Sequence, residues 1–156
     1  MGLVPERSYM ILVVDDNDDL LSLIAESLRK LGSFTVVTAR DGIEGLERYF
    51  EVHPDCVVVD VKMPGLDGYQ LVKALRGDPE SSSTPIVILS AMAQPKDQLA
   101  GLLSGADEYL LKPVGPLDLV KVISLVIGRS ETERCQRQQA LLKQAAVDGE
   151  DTEGES

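Results

Sequence analysis

The chain has 156 residues, 44% of them hydrophobic and 26% charged, and a formal net charge of −11. That length suits one domain with some residues left over, and the apolar share is enough for a real core. Five negative charges (Asp148, Glu150, Asp151, Glu153, Glu155) fall in the last nine residues, leaving −6 for the rest, a balance that argues against a nucleic-acid-binding surface in this segment.

In chain order, short apolar runs alternate with amphipathic segments. YMILVV (9–14) is predicted as a first strand. LLSLIAESLRKL (20–31) has apolar residues at helical spacing, with Gly32 as its stop. FTVVTA (34–39) reads as a strand, and GIEGLERYFE (42–51) as a helix capped by Asp41. CVVVD (56–60) is the third strand and DGYQLVKALRG (67–77) the third helix. PIVILSA (85–91), PKDQLAGLLSG (95–105), EYLLK (108–112) and GPLDLVKVISLVIG (115–128) continue the alternation, with Pro116 near a first helical turn. Strands 1, 3 and 4 are continuously apolar, as parallel strands covered on both faces are. The fold class is therefore α/β, a five-stranded doubly wound parallel sheet, in which ligands bind beyond the carboxyl ends of the strands.

Those ends carry Asp15-Asp16 (strand 1), Asp60 (strand 3), Ser90 (strand 4) and Lys112-Pro113 (strand 5). Each has a plain reading alone: Asp15 or Asp16 starting a helix, Asp60 opening a turn, Lys112 closing a strand in solvent. Together they differ. Three close carboxylates repel and raise one another's pKa values, a hard divalent cation relieves that, and oxygen ligands suit Mg²⁺. A facing lysine is a mobile point charge for an oxyanion. The set supports phosphoryl transfer to a carboxylate.

At these residues the sequence resembles the receiver domain of two-component response regulators, over roughly residues 9–128. ILVVDDN looks like the acidic-pair motif, VVVDVKMPGLDGYQLV the phosphoacceptor segment, PIVILSA the Ser/Thr-then-small motif and GADEYLLKP the terminal lysine motif. The spacings also resemble the family: 44 residues from Asp16 to Asp60, 30 to Ser90 and 22 more to Lys112. The resemblance implies a flavodoxin-like (βα)5 fold with strand order 2-1-3-4-5. It also implies that Asp60 accepts a phosphoryl group from a sensor histidine kinase or phosphotransfer protein. Asp16, Asp60 and the backbone carbonyl of Lys62 would bind Mg²⁺ directly, and Asp15 through a bound water. Ser90 and Lys112 would hold phosphoryl oxygens, and Tyr109 would be the aromatic switch. Lys62 and Met92 would tune hydrolysis, and the Lys112–Pro113 bond is expected cis. Such a protein is a switch that biases the surface of its fourth helix (95–105), fifth strand (108–112) and fifth helix (115–128) rather than an enzyme, limited to its own phosphotransfer and autodephosphorylation.

Outside the motifs, the expected organisation is an extension over 1–8, the receiver over 9–128, a polar helix or linker over 129–147 and a disordered acidic tail over 148–156. The polar helix either continues the fifth helix or packs on a partner or a second copy of the chain. No output domain is visible, so the output partner is a separate protein or a part beyond this segment. Cys56 reads as a small core residue, and Cys56 with Cys135 forms no metal-ligand spacing, which favours a reducing, cytoplasmic setting. No signal peptide or membrane span is expected. His53, before Pro54, reads as a plain loop residue. A phosphatase with an aspartyl nucleophile is disfavoured because Lys62 stands where its general acid is needed. A Gly-rich nucleotide-binding turn is absent at Asp15-Asp16. A silent receiver-like domain would need a defect outside the motifs.

Overall fold

The computed structural model describes residues 8–153. The elements are β1 (Met10–Val14), α1 (Asp18–Gly32), β2 (Thr35–Ala39), α2 (Gly42–Val52), β3 (Cys56–Val59), α3 (Gly68–Gly77), β4 (Ile86–Ser90), α4 (Pro95–Ser104), β5 (Glu108–Leu111), α5 (Pro116–Gly128) and α6 (Glu131–Glu153). Five parallel strands lie in the order β2-β1-β3-β4-β5. The predicted fold class and strand order are those observed. Among the described residues no helix is long and apolar enough to cross a membrane.

Strand alternation divides the core in two. Ile11 and Val13 of β1 and Val58 of β3 point to the layer completed by α1 and α5, through Leu21, Leu28, Leu119 and Ile123. Leu12, Val14, Val57 and Val59 point to the layer completed by Tyr49 of α2 and by Leu71, Val72 and Leu75 of α3. Cys56 is fully buried, as expected of a small core residue, and burial pushes its thiol pKa up.

The helix ends show which local signals dominate. In the run Asp15-Asp16-Asn17-Asp18 the cap of α1 is Asn17, whose side chain accepts from the Leu20 N–H, so α1 starts at Asp18 rather than at 20. Neither Asp15 nor Asp16 serves as that cap. Gly32 is the last residue of α1, and the left-handed position falls on Ser33 (φ 55°). The glycine is needed for space instead, since a Cβ there would come within 2.5 Å of the Phe34 ring. Asp41 caps α2, accepting from the Glu44 N–H at 2.8 Å. His53 closes α2 in a left-handed conformation, with its N–H on the Tyr49 carbonyl.

The tail departs most from expectation. α5 ends at Gly128, with Arg129 extended, and Ser130 caps a separate helix. The Ser130 hydroxyl accepts from the Glu133 N–H at 3.1 Å, and the Glu133 carboxylate faces the Ser130 N–H at 3.5 Å, the reciprocal pattern of a capping box. α6 does not continue α5; it packs on α4. It also runs through Glu153, so residues 148–153, expected to lack structure, are helical; Gln144 bonding Asp148 one turn on supports this continuation. The expectations for residues 1–7 and 154–156 lie outside the described residues.

One glycine sets how closely α3 approaches the end of β3. A Cβ on Gly68 would stand 2.2 Å from the Asp60 carbonyl oxygen, a backbone atom that cannot swing aside. Gly68→Ala is expected to lower stability by about 1–3 kcal/mol, the range for overpacking. Denaturant unfolding checks this, with an unchanged midpoint as the opposing result.

Candidate functional site

Strand register assembles the site. Val14 is the registered partner of Val59 across the β1–β3 pair, so the next residues, Asp15 and Asp60, leave the sheet side by side. Ser90 is the partner of Leu111, so Lys112 emerges just beyond Ser90, with its N–H on the Ser90 carbonyl at 2.9 Å. Backbone bonds tie these ends down: Asp15 N–H to Ala39 O at 3.1 Å and Asp60 N–H to Val14 O at 2.9 Å.

Asp15 and Asp60 are 2% and 9% exposed. The Lys112 ammonium lies between them, 2.9 Å from Asp15 Oδ2 and 3.4 Å from Asp60 Oδ2. Each carboxylate is also held by the backbone. Asp15 Oδ1 accepts from the Asn17 N–H at 2.9 Å, and Asp60 Oδ1 from the Val61 N–H at 2.8 Å. Asp16 sits at the exposed rim, yet one oxygen from each of Asp15, Asp16 and Asp60 falls within 4.8 Å of the others. An all-oxygen set at this spacing fits a hard divalent cation better than a soft one. Above it opens a cleft of about 530 Å³ lined by Asp16, Lys62, Met63, Tyr69 and Met92.

Burial pushes the Asp60 carboxyl above its ordinary value; Lys112 pulls it back and Asp15 adds to the rise. Burial alone would lower the Lys112 pKa, but Asp15 and Asp60 outweigh it and hold the ammonium charged. The cluster thus keeps its lysine cationic while one of its carboxylates is under electrostatic load.

Ser90 is buried, and its hydroxyl accepts from the Met92 N–H at 3.1 Å. Tyr109, half-buried, donates its hydroxyl to the Met92 carbonyl at 2.8 Å, so its ring lies against the end of β4. Burial, first of all, raises the Tyr109 pKa and keeps the phenol a donor. Lys62 is exposed on the loop after β3, and the Lys112–Pro113 bond is cis. The sequence reading missed Tyr69, whose hydroxyl donates to the Asp97 carbonyl at 3.0 Å beside this path. Its position two residues past the Asp67 cap, at the start of a helix next to the cleft, was the available signal.

The load on Asp60 has a signed consequence. A folded-state pKa raised above the unfolded value of about 3.9 means that the native state holds the proton longer. Stability is therefore lost as pH rises from the unfolded value through the raised native one. Without divalent cations, Asp60→Asn is expected to stabilise the protein at pH 7 by on the order of 1 kcal/mol, with a smaller gain at pH 4. Thermal unfolding at both pH values checks this; a destabilised variant at pH 7 would contradict it.

The comparisons with known proteins agree on one family. The sequence profile of the response regulator receiver domain matches residues 11–124. The transcriptional regulatory protein PrrA of Mycobacterium tuberculosis is 42% identical over 122 residues, covering 78% of this chain and 51% of that protein. This chain thus spans about half the length of the curated relatives it matches. Among solved structures, the chemotaxis protein CheY4 of Vibrio cholerae superposes with a TM-score of 0.72 at 32% identity, covering 77% of this chain and 99% of that one. The receiver domain of the sensor histidine kinase PA1611 of Pseudomonas aeruginosa, described with a magnesium ion coordinated in its active-site cleft, gives 0.73 at 29% identity, covering 79% and 100%. With its fold, its acidic pocket and its motifs in register, the chain belongs to the response regulator receiver family.

Proposed function

We propose that this chain is a phosphorylation-driven switch in which Asp60 accepts a phosphoryl group from the phosphohistidine of a sensor kinase or phosphotransfer protein. The observation that carries the reading is the cluster itself: three carboxylates with ligand oxygens within 4.8 Å, beside one ammonium 2.9 and 3.4 Å from two of them.

Asp15 and Asp16, with Asp60 and the Lys62 backbone carbonyl, would hold Mg²⁺. When bound, the ion neutralises the developing charge on the phosphoryl oxygens. The chain's own residues do the rest. The Val61 N–H holds Asp60 Oδ1, which leaves Oδ2, 3.4 Å from the Lys112 ammonium, as the oxygen placed to attack phosphorus. The new O–P bond forms as the N–P bond breaks, and the imidazole leaves with the bonding pair. Lys112 moves from its two carboxylates toward the incoming oxygens, and the Ser90 hydroxyl donates to another. Met92 and Lys62 flank the cleft where a hydrolytic water must enter, so their bulk sets the lifetime of the acyl phosphate.

The output of the switch lies at Tyr109. An acyl phosphate that draws Ser90 toward it opens space behind that side chain, which favours the Tyr109 ring in its inward place with its hydroxyl on the Met92 carbonyl. The surface that carries Tyr109 is read by an output protein or by a part of the protein beyond this segment. The cleft is lined by Asp16 and Asp67 against Lys62, a charge balance that does not suit a nucleic acid.

Intact-mass spectrometry after incubation with acetyl phosphate and Mg²⁺ tests the reading. One phosphoryl group is expected on the wild type, and none on Asp60→Ala or after chelation of Mg²⁺. Lys112→Ala is expected to label on the order of 10²-fold more slowly, the usual loss for removing one charge-stabilising group. Labelling that survives Asp60→Ala would overturn the assignment.

A further inference from the structure

α4 is the element that the phosphorylation site reaches. Met92 bonds Ser90 through its N–H and Tyr109 through its carbonyl. The Tyr109 ring then rests on Gly101 of α4, where a Cβ would come within 2.6 Å of the ring. Only a residue without a side chain allows this approach, so the inward ring and the pose of α4 are fitted to each other.

On its other side α4 carries α6. Leu102 and Ala145 are each 3% exposed, yet neither belongs to the two core layers on the faces of the sheet. They lie on α4 and α6, two helices that pack on each other. Gln138 donates to the Leu102 carbonyl at 3.0 Å and to the Ala106 carbonyl at 3.5 Å, gripping the C-terminal end of α4. Arg134 forks onto both oxygens of Asp107 at 2.8 and 2.9 Å, a buried carboxylate that Arg76 also holds at 3.0 Å. Positions 134, 138, 141 or 142 and 145 recur at helical spacing, so one continuous face of α6 is committed to this contact.

We propose that α6 is an intramolecular ligand of α4, and that its docking and the phosphorylation of Asp60 favour each other. The inference rests on the phosphoacceptor reading given above. Its sign comes from coexistence: the docked helix and the inward Tyr109 occur in one structure, joined through Gly101 and Leu102, consecutive residues of α4. A group that holds α4 in this pose stabilises the inward ring. A phosphoryl oxygen that draws Ser90 stabilises it from the other end. Coupling of this kind is reciprocal.

Beryllofluoride with Mg²⁺, a stand-in for the phosphoryl group, tests the proposal on the full chain. In the wild type it is expected to slow hydrogen exchange across α6. Ala145→Glu, which places a charge in the buried contact, is expected to unprotect α6 and to weaken beryllofluoride binding about fivefold or more, read by fluorine NMR. Val147→Glu, on an outward position 52% exposed, is expected to change neither. Gln138→Ala removes only the grip on α4 and is expected to weaken binding in the same direction; it decides the matter if Ala145→Glu fails to fold. Released α6 with unchanged affinity would overturn the coupling, and tighter binding would reverse its sign. A wild type that takes no beryllofluoride would overturn the phosphoacceptor reading and the inference with it, a result distinct from wild-type binding with indifferent variants.

Discussion

The Lys112 ammonium, set between Asp15 and Asp60, is the contact on which the active end of this molecule depends. It joins residues 97 positions apart and so closes the sheet edge from β1 to β5 across β3 and β4. Two carboxylates that are 2% and 9% exposed cannot sit together in a poorly solvated place without a cation. In the resting molecule the lysine supplies that cation. In the proposed function the same residue meets the transferring phosphoryl group, and the ion pair then holds a positive charge already aimed at the site. Its charge is secure because both partners hold its pKa up against burial.

Much of this was legible before any coordinates. Continuously apolar strands 1, 3 and 4 read as parallel and covered on both faces, and the registered pairs Val14–Val59 and Ser90–Leu111 place the next residues together. A reader who expects parallel strands therefore obtains the cluster from the residues that end them. Local choices were less legible. Asp15, Asp16, Asn17 and Asp18 are all good capping residues, and no local rule selects among them. The choice is made by Lys112, which takes Asp15 into the site and leaves Asn17 to cap α1. The helix does stop at Gly32, as expected, but the glycine makes room for Phe34 and the left-handed turn falls on Ser33.

α6 was the least legible element. Its buried face holds Arg134 and Gln138, so a search for apolar periodicity returns a polar helix with no partner. The partners are a buried aspartate and two carbonyls at the end of α4, groups whose availability depends on the fold. The start of α6 was readable, because Ser130 and Glu133 have capping-box spacing. The outcome is a receiver whose α4 is held from two sides, by Tyr109 at Gly101 and by α6 at Leu102.

The central claim is that Asp60, and neither of its acidic neighbours, forms the acyl phosphate. Borohydride reduction of the protein labelled by acetyl phosphate, followed by peptide mass spectrometry, tests it most directly, because reduction of an aspartyl phosphate leaves homoserine at the phosphorylated position. The account predicts homoserine at position 60, in the peptide that also contains Lys62, and unmodified Asp15 and Asp16. Homoserine at 15 or 16, or a phosphoryl group that resists borohydride, would contradict it.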